Sequence, residues 1–167
     1  MKEIEIKLKY TDEVLLRNKL RDLKAKFVER YEIVDYYYTK NGETMKTAEN
    51  LLRIRTKKGA SEFTFKGGRE NKGDIWERVE INVPIGNAEN MIKILDKIGF
   101  SLIRKNKTMR EYFLFDNTEL VIVKIIEPVN LEFVEIEGKT KESIEKVVKL
   151  FKGVLVPVGR DYFRVLD

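Results

Sequence analysis

The chain reads as an α+β protein whose antiparallel sheet closes into a barrel with a few helices packed outside. Apolar and charged residues alternate with period two along most of its length, as in strands with two unlike faces. Helical spacing is confined to short segments, each between a capping residue and a later glycine or charged turn. So many strands in 167 residues close on themselves more readily than they lie flat.

Strands are expected over 2–10, 30–39, 50–58, 61–67, 75–84, 100–105, 108–116, 119–127 and 131–137, each rich in Ile, Val, Phe or Tyr. Helices are expected over 12–26, 87–98 and 140–152. The first follows Thr11-Asp12, with Val14, Leu15, Leu20, Leu23 and Phe27 as its apolar stripe. The second runs from Asn87 to Gly99 and the third from Thr140 to Gly153, polar caps before and glycines after. Turns fall at Asn41-Gly42, Lys58-Gly59, Gly67-Gly68 and Asp116-Asn117. The stretch 67–74 is expected to be a mobile loop. Residues 20–38 and 92–116 follow the same plan of helix, strand and aromatic segment. The expectation is therefore a single domain over 1–167 built from two similar halves, with no interdomain linker.

Composition narrows the chemistry. Hydrophobic residues at 43% suffice for a core, and 37% charged residues must occupy whole strand faces. Without Cys there are no disulfides and no thiol chemistry; without His there is no imidazole base or ligand. Any metal must then be held by oxygen, which favours Mg²⁺, Mn²⁺ or Ca²⁺ over Zn²⁺. The net charge of +5 points to an anionic partner. Lys and Glu enrichment fits a thermophile. No signal peptide or membrane span is visible, so a cytoplasmic location is expected.

The charges are sorted by strand. Glu3-Ile4-Glu5-Ile6-Lys7 puts two carboxylates and an ammonium on one face. Arg53 and Arg55 share a face, opposed by Leu52 and Ile54. Lys66 lies opposite Phe63 and Phe65, Arg78 and Glu80 lie opposite Val79 and Ile81, and Arg110 shares a face with Tyr112. Glu135 and Glu137 mirror Glu3 and Glu5. One wet sheet face would explain any single strand. For the set, a barrel with apolar residues outward has a polar interior, and buried charges need partners. Lys7, Arg53, Arg55, Lys66, Arg78 and Arg110 suit phosphate oxygens. Glu3, Glu5, Glu135 and Glu137 would repel that anion unless a divalent cation lies between, so a polyphosphate with metal is expected, cations on one wall and carboxylates on the other. Stacking of RNA bases on Tyr36, Tyr37, Tyr38, Phe63 and Phe65 is the weaker reading, because Phe63 and Phe65 face away from Lys66.

These residues resemble the CYTH family, or triphosphate tunnel metalloenzymes, which includes class IV adenylyl cyclases and thiamine and inorganic triphosphatases. The resemblance is carried by Glu3-Ile4-Glu5-Ile6-Lys7, Asp35-Tyr36-Tyr37-Tyr38, Leu52-Arg53-Ile54-Arg55, Phe63-Thr64-Phe65-Lys66-Gly67, Arg78-Val79-Glu80 and Phe133-Val134-Glu135-Ile136-Glu137, with 161–166 similar to the closing Ser-Tyr segment. It implies a closed eight-stranded antiparallel tunnel with a polar interior. It also implies triphosphate on Lys7, Arg53, Arg55, Lys66, Arg78 and Arg110, with Lys107 as a further family lysine, and Mg²⁺ or Mn²⁺ on Glu3, Glu5, Glu135 and Glu137. Glu3, Glu5, Lys7 and Glu80 are the candidate catalytic residues, Glu80 being placed to orient Arg78. Many members carry an Asp shortly before the closing Glu pair. Here that stretch is Val123-Lys124-Ile125-Ile126-Glu127, with Glu127 as its acid. Hydrolysis of a triphosphate is favoured over cyclisation of ATP, since only Met1 and Lys2 precede the opening motif. A non-catalytic binder of polyphosphate or nucleotide is the third reading. The expected partner is a small-molecule triphosphate, without membrane or nucleic acid; a homodimer is expected by family analogy alone.

Overall fold

The computed structural model describes residues 2–68, 70–72 and 74–158; the segment 161–166 lies outside the described residues. Charged-and-apolar alternation produces the strands β1 (Lys2–Tyr10), β2 (Lys26–Lys40), β3 (Leu51–Lys57), β4 (Ala60–Lys66), β5 (Glu70–Lys72), β6 (Ile75–Ile85), β7 (Phe100–Phe115), β8 (Thr118–Glu127), β9 (Leu131–Gly138) and β10 (Leu155–Pro157). All pair antiparallel, in the order β1-β9-β8-β7-β2-β3-β4-β6. Lys2–Ile6 of β1 then pairs with Ile75–Val79 of β6 and closes an eight-stranded barrel, as expected. The short β5 and β10 extend the edges of β6 and β1. Among the described residues closure leaves no long unpaired edge for another chain to add to.

Among the described residues three helices lie outside the barrel: α1 (Glu13–Asp22), α2 (Ala88–Lys97) and α3 (Lys141–Leu150). Their starts are where the caps predict. Asp12 accepts from the backbone N–H of Val14 and Leu15, Asn87 from Asn90 and Thr140 from Ser143. The first helix is shorter than expected, because Lys24 adopts φ 55° and turns the chain into β2. Its buried face is also different. Leu16 and Leu20 point inward, whereas Val14 and Leu15 are exposed and Phe27 belongs to β2. Leu16 and Leu20 pack with Leu8, Phe113, Ile122 and Ile136 and with Ile144, Val147 and Phe151 from α3 and its end. A second cluster of Tyr38, Ile54 and Leu95 seats α2 on β2 and β3. The main hydrophobic core is thus wrapped around the barrel, and its lumen carries the charged groups beside a small apolar cluster of Val121, Val123, Ile125 and Phe133.

Two further expectations change. The stretch 67–74 contributes β5. The polar run Lys105-Asn106-Lys107 does not divide two strands. Instead, β7 runs unbroken for 16 residues because β2 pairs alongside it over nearly its whole length, with register shifts only at Phe27/Glu29 and Tyr37/Tyr38 and none at the polar run. The only disturbance towards β8 is a register shift between Lys107 and Thr108. Among the described residues no helix is long and apolar enough to cross a membrane.

Candidate active site

Strand parity delivers the site. Residues that alternate with the outer core point into one cavity of about 810 Å³ that is partly open to solvent. Glu3, Glu5 and Lys7 enter it from β1, Arg53 and Arg55 from β3, Lys66 from β4, Arg78 and Glu80 from β6, Arg110 from β7, and Glu135 and Glu137 from β9. Trp76 lines it as well, with Tyr37, whereas Tyr36 and Tyr38 pack in the outer core.

The charges do not divide into a basic wall and an acidic wall, which corrects the expected arrangement. They interleave as ion pairs. Lys66 Nζ lies 2.5 Å from Glu80 Oε2 and 3.2 Å from both Glu3 oxygens. Arg78 Nε donates to Glu3 at 2.8 Å. Arg53 Nη2 donates to Glu80 at 3.2 Å and to Thr64 at 3.0 Å. Glu80 therefore holds Arg53 and Lys66, and the close partner of Arg78 is Glu3. In a second group Lys7 Nζ meets Glu135 at 2.5 Å and Glu5 at 3.1 Å, and Arg110 Nη1 reaches the other Glu135 oxygen at 2.7 Å. Arg110 spans β8 to do so, over its small cross-strand neighbour Val123. Arg55 makes a bidentate pair with Asp35 at 2.7 and 2.9 Å.

The electrostatic consequences follow from burial and neighbours. Burial opposes the charge of Glu3, but Lys66 and Arg78 outweigh it and hold the carboxyl well below the usual range. Glu135 is buried too, and Arg110 and Lys7 likewise hold its carboxyl low. Lys66 goes the other way. Burial, then the charges of Arg53 and Arg78, lower its ammonium to about 8 against the pull of Glu3 and Glu80. Buried donors also remain unused: Arg53 Nε and Arg110 Nε, one in each group, have no hydrogen-bond partner. Such atoms are costly to bury unless something else satisfies them.

Glu5, Glu137 and Glu119 form a row across β1, β9 and β8, since Glu5 and Glu119 are each the direct register partner of Glu137. Glu137 keeps an exposed edge. Even so, partial burial, followed by the charges of Glu3, Glu5, Glu119 and Glu135, pushes its carboxyl up to about 7. Like charges directly opposite on neighbouring strands are destabilising, and a cation relieves them. Among the described residues no three acids yet converge on a single metal position. Mg²⁺ needs only one or two carboxylates beside water and phosphate oxygens, so the all-oxygen donor set fits it.

The remaining expectations fall as follows. Lys107 does not line the cavity. Parity along β7 turns Asn106, Thr108 and Arg110 inward and Lys107 outward, where it pairs with Glu32 at 3.1 Å. Glu127 ends β8 in an exposed position, and Lys124 pairs outside with Glu13 and Glu132. Acids whose roles were not foreseen are Asp35, which is fully buried, and Glu119. Glu119 was legible only through its register with Glu137. Arg104, Asn106 and Thr108 also line the cavity.

The fold and site together define a closed antiparallel barrel whose lumen carries both signs of charge. Comparison with known proteins makes the assignment specific. The CYTH domain model matches residues 1–153. A putative adenylate cyclase of Methanocaldococcus jannaschii is 30% identical over 146 residues, covering 87% of this chain and 82% of that protein. The chain belongs to the CYTH family. Two solved structures share the fold. A Pyrococcus horikoshii protein aligns over 99% of both chains with TM-score 0.78 and 22% identity. A Hippeastrum protein, described as a putative adenylyl cyclase with a dominant triphosphatase activity, aligns over 98% of this chain and 94% of its own with TM-score 0.74 and 15% identity.

Proposed function

We propose that this protein is a divalent-metal-dependent phosphohydrolase acting on a triphosphate. The observation that carries the reading is the barrel lumen in which Lys7, Arg53, Arg55, Lys66, Arg78 and Arg110 converge beside a row of carboxylates. Arg53, Lys66 and Arg78 would hold one part of the phosphate chain and Lys7, Arg55 and Arg110 the other, with the unused Nε donors of Arg53 and Arg110 available to phosphate oxygens. Glu5, Glu119 and Glu137 would hold the metal, joined by Glu3 and Glu135 once phosphate takes over their cations. Bound Mg²⁺ or Mn²⁺ would supply Lewis-acid polarisation of the phosphate oxygens. Phosphoryl transfer depends chiefly on positioning and charge neutralisation, which these side chains provide without a His.

Incubation with tripolyphosphate, ATP and thiamine triphosphate, each with Mg²⁺ or Mn²⁺, tests the reading by its products. Release of orthophosphate in a metal-dependent manner is expected. The archaeal relative's name favours a second reading, cyclisation of ATP, and cyclic AMP with pyrophosphate as sole products would establish that instead. Tight binding without turnover would leave a non-catalytic binder.

The pH profile supplies a further prediction. The Lys66 ammonium is charged below about 8 and neutral above it. Its attraction for phosphate is therefore present below that value and lost as pH rises through it. The kcat/KM for triphosphate, which reports free-enzyme ionisations, is expected to fall above about pH 8. A profile flat to pH 10 would remove Lys66 from substrate binding.

A further inference from the structure

The cations proposed to hold phosphate each have a carboxylate partner, and one of those partners stands apart. Glu3, Glu5, Glu80 and Glu135, which hold Lys7, Arg53, Lys66, Arg78 and Arg110, lie on β1 and on its neighbours β6 and β9, the strands that carry or adjoin the acid row. Asp35, which holds Arg55, lies on β2, and β7 separates β2 from β8. Asp35 is therefore outside the row, and a metal held there leaves its pair with Arg55 intact. The two residues are direct register partners across β2 and β3, and Asp35 is only 1% exposed. Its Oδ1 accepts from Arg55 Nε at 2.7 Å and its Oδ2 from Arg55 Nη2 at 2.9 Å. The Tyr37 hydroxyl donates to Oδ2 at 3.5 Å, and Arg53 Nε lies 4.0 Å from Oδ1. Burial opposes the charge of Asp35, but Arg55 and then Arg53 outweigh it and hold the carboxyl below its usual value.

A buried carboxylate among cations repels a bound anion and so weakens its ground-state binding. It also has a second effect. A planar guanidinium gripped along one edge by two parallel hydrogen bonds cannot turn, and its remaining N–H groups keep a fixed direction in the cavity. Donors held in place before the reaction stabilise developing charge without having to reorganise. We propose that Asp35 is a positioning residue for phosphoryl transfer: it fixes the Arg55 guanidinium against the reacting phosphate chain, raising turnover while weakening ground-state binding. The inference rests on the triphosphate reading of the lumen and deepens it, by separating the one permanent ion pair from those that ligands rearrange.

The test compares wild type with Asp35→Asn in two measurements. One is the Kd for tripolyphosphate without metal, by titration calorimetry, which also counts the binding-competent sites. The other is kcat with Mg²⁺ on whichever of tripolyphosphate, ATP and thiamine triphosphate wild type turns over fastest. Asp35→Asn is expected to lower kcat per competent site by about 10–10²-fold and to leave Kd equal or tighter. A merely structural role would lower the number of competent sites and spare kcat per site. A kcat per site within about 2-fold of wild type therefore overturns the proposal, as does a Kd weakened in step with kcat. Asp35→Asn leaves a buried Arg55 uncompensated, so the substitution is also made in an Arg55→Gln background, where both charges are gone. There it is expected to change kcat by no more than about 2-fold, because Asp35 acts through Arg55. A larger further loss overturns the proposal. Wild type that turns over none of the three compounds overturns the triphosphatase reading itself, and the two failures are thereby distinguished.

Discussion

Lys66→Met is expected to lower kcat/KM for a triphosphate by about 10²–10³-fold, the range for removing one preorganised electrostatic group from a transition-state site. Lys66 sits where Glu3, Glu80, Arg53 and Arg78 meet, and its ammonium is buried. Methionine keeps the length and apolar stem of lysine, so the loss is of charge. Arg53 still holds Glu80 and Arg78 still holds Glu3, and the barrel should remain folded. Steady-state kinetics alongside circular dichroism separate the two effects. Full turnover in a folded Lys66→Met protein would exclude this side chain from the chemistry.

Glu135→Gln is expected to act first on stability. Its carboxylate neutralises Lys7 through one oxygen and Arg110 through the other. Removing one partner of a buried ionic cluster leaves uncompensated charge, at a cost of about 3 kcal/mol. For a chain of this length that corresponds to a Tm lower by roughly 6–12 °C. Lys7 retains Glu5, which moderates the loss. Tripolyphosphate should restore more of the Tm in this variant than it adds to wild type, because it supplies the missing negative charge. Thermal melts with and without tripolyphosphate check both parts. An unchanged Tm would show that Lys7 and Arg110 do not depend on Glu135.

Much of this site was legible in the one-dimensional pattern because parity along a strand is a local property. Arg53 and Arg55, or Glu135 and Glu137, must share a face whatever they pair with. Lys107 shows where that reasoning stops. Its side was decided by the register of an unbroken 16-residue strand, which a polar run had disguised as two. Ion-pair partners were harder still. Glu80 is two residues from Arg78 yet grips Lys66 from the adjacent β4 and Arg53 from β3 one strand further on, and Arg110 crosses β8 to find Glu135. Those choices depend on which strands become neighbours when the sheet closes, and no short window of residues contains that information. The pairing of Asp35, whose segment carries part of the family resemblance, and the place of Glu119 are hidden for the same reason, each being an isolated acid until Arg55 or Glu137 is placed beside it.

The two faces of the same eight strands serve different ends, which limits how the chain can change in length. Deleting a single residue from the middle of β9 would send one half of that strand's carboxylates towards α3 and bring Val134 or Ile136 inward, damaging packing and ligand binding together. Substitutions can tune one face and spare the other. Insertions and deletions have no such freedom within the strands, and variation in length should be confined to connections such as residues 41–50.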